Sequence, residues 1–491
     1  MRKILILITS VCSYALMAQQ EFSSFCNTGH GGATTFATDY QATGINPANL
    51  GWAPKYDKKI TMGFAEFTGS LYSEALKKDE LRNVLSDLIS GGGTKFSYTE
   101  KMTAAKNFSE TGFTMNADFG SFGIALNTKV AGGFAFRVND HFQFTSTLGS
   151  QAADLLFLGK TSSVFDSLQI MLANGATQYI ANHANLSPDT AKMVTLGKTN
   201  VPQYLSKILD GTNMTLMYYR DYNLSYGKKL IGDDSTFAIY GGVGLKYIQG
   251  IALLNIKSEG GTLTGYSSLS PAFGIDYGTA ASAANAVSGS GFPPKSVGSG
   301  FGFDVGASVK IKKLKIGASL INMGSINWTG NVYQLQDTLM VSTTNSGLNN
   351  YNIFSQLKSM FGNNGGLFKL QGQQSRTTTL PGMFRMGASI GLGKIAEVGV
   401  DCIVPTTTGI PGSIQNPIIG MGGDIYAAPW IKFQAGFITG GNYGPQIPVG
   451  VIFIAPGGKY EAGVASRDAI TFFTQKGPTI SLSTGFIRMR F

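Results

Sequence analysis

Residues 301–311 read Phe301-Gly302-Phe303-Asp304-Val305-Gly306-Ala307-Ser308-Val309-Lys310-Ile311. Apolar side chains hold the odd positions, and Gly, Asp, Ser and Lys hold the even ones. Such alternation is the period of a β-strand, whose successive side chains leave opposite faces, so this segment has one greasy and one polar side. The pattern returns along the chain as far as the aromatic Phe491. Many such strands in series, with small polar residues on the second face, predict an all-β fold. That fold is a transmembrane antiparallel β-barrel, with its grease toward lipid and its polar side toward a lumen. A soluble β-protein that happens to end in a hydrophobic residue is the competing reading. The export signal and the alternating loop lengths described below weigh against it.

Composition agrees with strands. Of 491 residues 65 are Gly, and only 13% are charged. The Gly share is about twice the usual one and the charged share about half of it. Glycine is poor inside helices and accepted in strands and turns. Beyond the N-terminus no run approaches the ~18 apolar residues of a spanning helix, so residence in a membrane has to be through strands. Residues 1–18 read as a secretory signal peptide: Arg2 and Lys3 give the positive end, and an apolar run from Ile4 reaches Met17. Cleavage after Ala18 is expected, with Ala15 a second candidate. Cys12 raises a lipoprotein reading, against which stands Val11 where such sites prefer a small residue. Export without helical spans predicts the outer membrane of a Gram-negative cell, with its lipids as the immediate partners.

The formal net charge is +10, or +8 once Arg2 and Lys3 are removed. The surplus attracts anionic partners such as lipopolysaccharide or acidic solutes; the blander account is a few extra surface lysines. The scatter of the basic residues and export argue against nucleic acid as a partner. Cys26 and Cys402 survive processing. Cys402 continues the outward row Ala396, Val398, Val400, so two free thiols are expected rather than a bridge.

Residues 19–57 look irregular, with Pro47, Pro54 and clustered glycines, and form a segment of their own. Residues 58–491 form the barrel, whose first strand spans about Lys59 to Phe67. Short turns are read at Val138-Asn139-Asp140, Gly232-Asp233-Asp234, Lys312-Lys313, Gly391-Leu392-Gly393, Ala427-Ala428-Pro429 and Ala455-Pro456-Gly457-Gly458. Long outer loops are read at 69–110, 149–212, 251–299 and 328–380, with lesser ones at 405–416, 439–446 and 467–477. Outer-membrane barrels put tight turns on one side and long loops on the other, and this count gives about fourteen strands. Residues 111–137 are the soft place, readable as one long strand or two. Helical spacing is seen at 74–89, with Leu76, Leu81, Leu85 and Leu88 on one face. Val164–Leu172, Val201–Leu209 and residues 351–361 also read as helices, and the Gly/Ser/Ala-rich stretch 258–300 as the most mobile. The last strand needs a bulge near Gly485, because Ile480 and Leu482 stand on the opposite parity from Ile487 and Met489.

No constellation for catalysis is found, and the chain is read as a non-enzyme with no cofactor. His30, His141 and His183 fall in different elements, no ligand spacing for a metal occurs, and no Gly-x-Ser-x-Gly elbow appears. Projected inward, the alternation places Asp304, Lys310, Lys315, Arg385, Glu397, Asp401, Lys432, Gln434, Lys459 and Glu461 in the lumen. Buried charges need partners or water, so these residues either lock a filled lumen or line a polar path. Ahead of the barrel stands Asn46-Pro47-Ala48, followed by Asn49-Leu50. Pro47 removes a donor and pushes Asn46 to an extended conformation, and the Asn46 side chain can close a turn onto the backbone. Such a segment can pack within a barrel without joining its wall.

Gly32-Ala33, then Ala37 and Asp39, then Asn46-Pro47-Ala48 and Leu50 before the first strand resemble the N-terminal pattern of the FadL/TodX family. That family comprises outer-membrane transporters of fatty acids and other hydrophobic compounds. The resemblance covers residues 29–50 in motif and the remainder in strand count and turn spacing. It implies a fourteen-stranded barrel with an N-terminal hatch that includes Asn46, Pro47 and Ala48. Phe36 and Tyr40 are assigned to the hatch as an extension of it. It further implies a hydrophobic small-molecule ligand, a pocket between loops and hatch, and sideways release through a gap in the wall. The insertion at 150–209 is longer than the family's usual connection. The family also has a non-transporting relative, the shuttle protein of type IX secretion, so an accessory barrel that binds outer-membrane protein partners is the second expectation.

Overall fold

The computed structural model describes residues 24–73, 76–90, 95–110, 112–128, 130–183, 186–278, 285–289, 291–350, 361, 367–441, 443–476 and 478–491. The signal peptide read at 1–18, residues 19–23 and all but the last residue of the helix read at 351–361 lie outside them. So do residues 279–284 and 290 of the Gly/Ser/Ala-rich stretch.

Fourteen antiparallel strands close into a barrel. They are β1 Ile60–Ser73, β2 Phe113–Thr128, β3 Gly132–Thr147, β4 Thr212–Asp233, β5 Phe237–Glu259, β6 Gly298–Ile311 and β7 Leu314–Trp328. The ring continues with β8 Met383–Leu392, β9 Ala396–Pro405, β10 Ile418–Ala428, β11 Ile431–Gly440, β12 Val449–Ile454, β13 Tyr460–Ser466 and β14 Thr479–Arg490. Pairing of β1 with β14, from Thr61 opposite Arg490 to Tyr72 opposite Thr479, seals the ring. Closure satisfies the backbone groups that lipid cannot. The expected alternation sets the faces: Phe301 is 73% exposed on the outside, and Asp304 is fully buried within. Val305, Val398 and Val400 are likewise exposed outward, while Asp401 is buried inward.

Strand ends follow the turn chemistry closely, with one exception. The chain turns at 130–131, between β2 and β3, and not at Val138-Asn139-Asp140, which lies inside β3 opposite Tyr222, Asp221 and Arg220. The polarity there serves side-chain pairing rather than a bend. Asn139 donates to Asp221, and Asp140 accepts two bonds from Arg220. The soft stretch is therefore two strands. The bulge near Gly485 is present, because Glu461 pairs with Arg488 and Gly463 with Gly485, a skip of one extra residue on β14. Lys459 falls in the tight turn before β13 and is exposed, not luminal.

The long-loop end is more β-rich than expected. β1 runs on to Ser73, and β5 runs on to Glu259 and hairpins into a strand at Thr262–Leu269. Helices occupy Lys78–Ser90, Tyr98–Glu110 and Ser150–Leu158. They bury Leu81, Val84, Ala104, Phe108, Ala153 and Phe157 against Phe113, Phe144 and Leu216 from the outer ends of β2–β4. The helix read at Val164–Leu172 is instead mostly strand, and the one read at Val201–Leu209 is strand to Tyr204 and a short helix over Leu205–Ile208. Ser167–Met171, Thr177–Ala181, Val194–Tyr204 and Leu339–Thr343 make a separate four-stranded sheet. Burial at Leu168 and Ile170 with Gln169 between them has period two, which short apolar runs do not distinguish from a helix turn.

Every neighbouring pair in the ring is joined by a hydrogen-bonded ladder. β3, for example, is paired with β4 from Gly133 to Thr147. The sideways gap implied by the family resemblance is not seen among the described residues, and opening the wall means breaking one of these ladders.

Candidate functional site

Residues 24–57 do not join the wall. They fold as short helical turns, Phe25–Thr28, Asp39–Ala42 and Pro47–Gly51 within the lumen and Lys55–Asp57 at its rim beside the tight turn at Gly458. Backbone groups of a strand-free segment need other partners, and side chains supply them. Asn46 is extended, with φ −151° and ψ 98°, and its Oδ1 accepts from the Ala48 amide at 3.1 Å. Pro47 opens the turn that follows. The Asn46 Nδ2 donates to the Ala307 carbonyl at 3.2 Å, so one side chain both caps the turn and ties it to β6. The Asn49 Nδ2 donates to the carbonyls of Thr34 and Ala37, both at 2.9 Å, which folds the segment back on itself. Ala48 is fully buried, in a cluster with Trp52, Ala238 and Tyr240.

Charged groups of the wall fasten this hatch. The Ala33 and Thr34 amides donate to one Asp401 oxygen at 2.7 and 3.1 Å, with Arg385 3.8 Å from the same oxygen. On β1, Glu66 accepts from the Tyr40 hydroxyl at 2.6 Å, from Gln41 at 2.8 Å and from Arg137 at 3.0 Å. On β14, Arg488 pairs with Asp39 of the hatch at 2.6 Å and with Glu461 at 2.8 Å, and Arg490 pairs with Glu461 at 2.9 Å. Trp52 donates its indole N–H to Ser308 at 3.0 Å, and Asn127 donates to the carbonyls of Leu50 and Trp52. Buried charge of this kind is tolerable only when paired and hydrogen-bonded.

Glycine explains how a segment fits inside so small a ring. An added Cβ at Gly63 or Gly123 would overlap the Tyr40 ring, and at Gly306 the Asn46 and Pro47 side chains. At Gly227 and Gly242 it would meet the Pro47 backbone, at Gly422 and Gly436 the His30 carbonyl, and at Gly485 the Phe25 ring. The inner wall is thus smooth where the hatch touches it, and much of the chain's glycine excess sits there.

The two sides of the hatch differ in chemistry. Toward the long loops, Ala33, Ala37 and Ile45 of the hatch pack with Ile321, Met383, Ile403, Ile418 and Ile438 of the inner wall and Ile414 of a loop. Beside that layer the inward residues Met217, Tyr219, Ile248, Leu253, Ile326 and Trp328 form a second apolar group. On the β2–β3 side this outer lumen is polar, and His141 bonds Asp118 at 2.8 Å and lies 3.4 Å from Asp221. Toward the tight turns lies a cavity of about 300 Å³ lined by Trp52, Phe36, Leu126 and Tyr426 together with charged residues. These are Lys58, Lys59, Lys310, Lys315, Lys432, Arg488 and Arg490 against Asp39, Glu397, Asp424 and Glu461.

Asn46, Pro47, Ala48, Phe36 and Tyr40 all lie in the segment 24–57 inside the ring, off the wall. Asp304 pairs with Lys246 at 3.1 Å, above the hatch on β6. Asp401 binds the Ala33 and Thr34 amides with Arg385 3.8 Å behind it, whereas Lys310 and Glu397 line the cavity. Sequence reasoning missed Glu66, Asp39, Trp52 and His30 as hatch contacts. Glu66 breaks an otherwise uncharged strand, which is a readable signal; Trp52, five residues past Pro47, had none. Cys26 and Cys402 are free thiols, the first buried beside Arg488. Among the described residues no group of His, Cys, Asp and Glu is placed to hold a metal ion.

A family model described as "Family of unknown function (DUF5723)" matches residues 151–423. No curated protein sequence matches the chain. Among solved structures, similarity extends to a monoaromatic hydrocarbon channel described as a TodX deletion mutant, 9% identical, covering 95% of this chain and 99% of that one with a TM-score of 0.45. A Pseudomonas aeruginosa FadL homologue is 10% identical, with coverages of 96% and 97% and a TM-score of 0.40. The Ralstonia pickettii toluene transporter TbuX is 12% identical, with coverages of 96% and 99% and a TM-score of 0.40.

Proposed function

The chain belongs to the DUF5723 family, whose description assigns no activity, and we propose from its own geometry that it is an outer-membrane barrel that passes small hydrophobic molecules. The observation that carries this reading is the apolar layer on the loop side of the hatch. A path for polar solutes has no use for Ile321, Ile403, Ile418 and Ile438 gathered on one arc of the inner wall against Ile45. A hydrocarbon does, because its transfer there from water is favourable by roughly 25 cal/mol per Å² of apolar surface. Passage requires the hatch to shift, since Asp401, Glu66 and Arg488 hold it in place in the resting barrel. Uptake of labelled toluene and of a labelled fatty acid, measured in cells with and without the gene, tests the reading. Faster uptake of at least one compound is expected with the gene, and equal uptake of both in the two strains removes the reading.

A second reading rests on the hatch bonds and the fully laddered wall. A barrel that never opens suits an accessory subunit docked to other outer-membrane proteins. Purification in mild detergent discriminates, because a lone monomer counts against the accessory role and a stoichiometric partner supports it.

A further inference from the structure

We propose that the cavity beneath the hatch, on the tight-turn side, is a binding site for a small organic acid that carries one carboxylate beside a flat apolar body. Three features of the cavity point to this chemistry. First, its volume of about 300 Å³ lies at the lower end of the ~300–1,000 Å³ range of ligand pockets, so it takes a short molecule and no long chain.

Second, its charge is unbalanced: seven cationic side chains line it against four carboxylates. Four of the cations are already neutralised. Lys315 pairs with Glu397 at 2.8 Å, Lys432 with Asp424 at 2.8 Å, and Arg488 and Arg490 with Glu461. Lys310 is half-buried in the same wall and makes no ion pair among the described residues. Arg488, with its side chain 4% exposed, keeps a buried Nε–H without an acceptor among the described residues. A half-buried ammonium facing an enclosed space and an unused guanidinium N–H both call for an anion, and a carboxylate accepts from both types of donor.

Third, the indole of Trp52 supplies an apolar wall between the charges. Lys310 and Lys315 stand 5.9 and 5.1 Å from its ring centroid. A planar group laid along Trp52 leaves its acid group facing Lys310. The binding is independent of passage, because it needs only the resting barrel with its hatch seated.

Calorimetric titration of the full barrel in detergent with 3-phenylpropionate, and with its neutral amide, tests this. The acid is expected to bind one site per chain and the amide at least tenfold more weakly. Lys310→Met is expected to weaken the acid at least fivefold, leaving the amide unchanged, with Lys310→Arg restoring most of the affinity. Among the described residues Lys310 makes no hydrogen bond or ion pair to the hatch, and its contact there is the Trp52 ring at 5.9 Å; an unchanged digestion pattern of residues 24–57 verifies that the variant keeps the fold. Equal binding of acid and amide, no binding of the acid, or unaltered acid affinity in Lys310→Met would each overturn the proposal.

Discussion

Ser308 shows how much one small side chain carries when a second layer lies behind it. Read from sequence alone, it is a luminal residue whose change to lysine should be mild. In the barrel it is 1% exposed and accepts the Trp52 indole N–H at 3.0 Å. Ser308→Ala leaves that donor buried and unpaired, and we expect a loss of about 1–3 kcal/mol. Ser308→Lys, which also drives a cation into the hatch, is expected to cost more than the alanine change. On the opposite face, Val305→Lys meets lipid and is expected to cost about 2–4 kcal/mol if it lies near mid-membrane. Denaturant unfolding in lipid vesicles ranks the three variants; a lysine at Ser308 that proved harmless would mean the Trp52 contact contributes nothing. The face of each residue was legible because alternation is local. The burden on Ser308 was not, because its partner lies 256 positions away.

Among the elements, the hatch is held by ion pairs and by bare backbone, and the two can be tested separately. Arg488→Met leaves Asp39 and Glu461 short of a partner. Loss of one member of a buried pair costs about 3–5 kcal/mol, and the lower end is expected because Arg490 remains 3.8 Å from Asp39. Limited proteolysis of the intact barrel should then cut within residues 24–57 several times faster than in the wild type. Unchanged cutting would show that Arg488 does not hold the hatch. Gly422→Val and Gly436→Val push a branched side chain into the His30 carbonyl, and overpacking of this kind costs about 1–3 kcal/mol. The same digestion should report them, while Gly393→Val, in an open turn with nothing near its Cβ, should leave the pattern alone but for its positive φ. The turn at Asn46-Pro47-Ala48 was readable, since it is closed by neighbours in sequence. Its sockets were not, because a strand glycine looks the same whether it faces a hatch, a bulge or lipid. The strands at 167–171 and 194–204 were misread for a related reason: short runs with two or three apolar residues fit both periods.

For the whole molecule, ring closure was legible because each hairpin announces itself by a tight turn, and the number of hairpins fixes the number of strands. The turn between β2 and β3 was displaced in the reading because Asn139 and Asp140 carry turn-like side chains for an unrelated purpose, pairing with Asp221 and Arg220. The contrast between the greasy loop side and the charged turn side of the hatch could not be read at all, since it arises only when strands from around the ring converge. That convergence has a consequence for biogenesis. Asp39 meets Arg488 across 449 positions of chain, so the plug emerges early during synthesis and waits for its clasp until the seam between β1 and β14 is sewn. A precursor stalled short of β14 would hold an unmoored plug inside an unfinished cylinder, exposed to quality-control proteases until the final strand arrives.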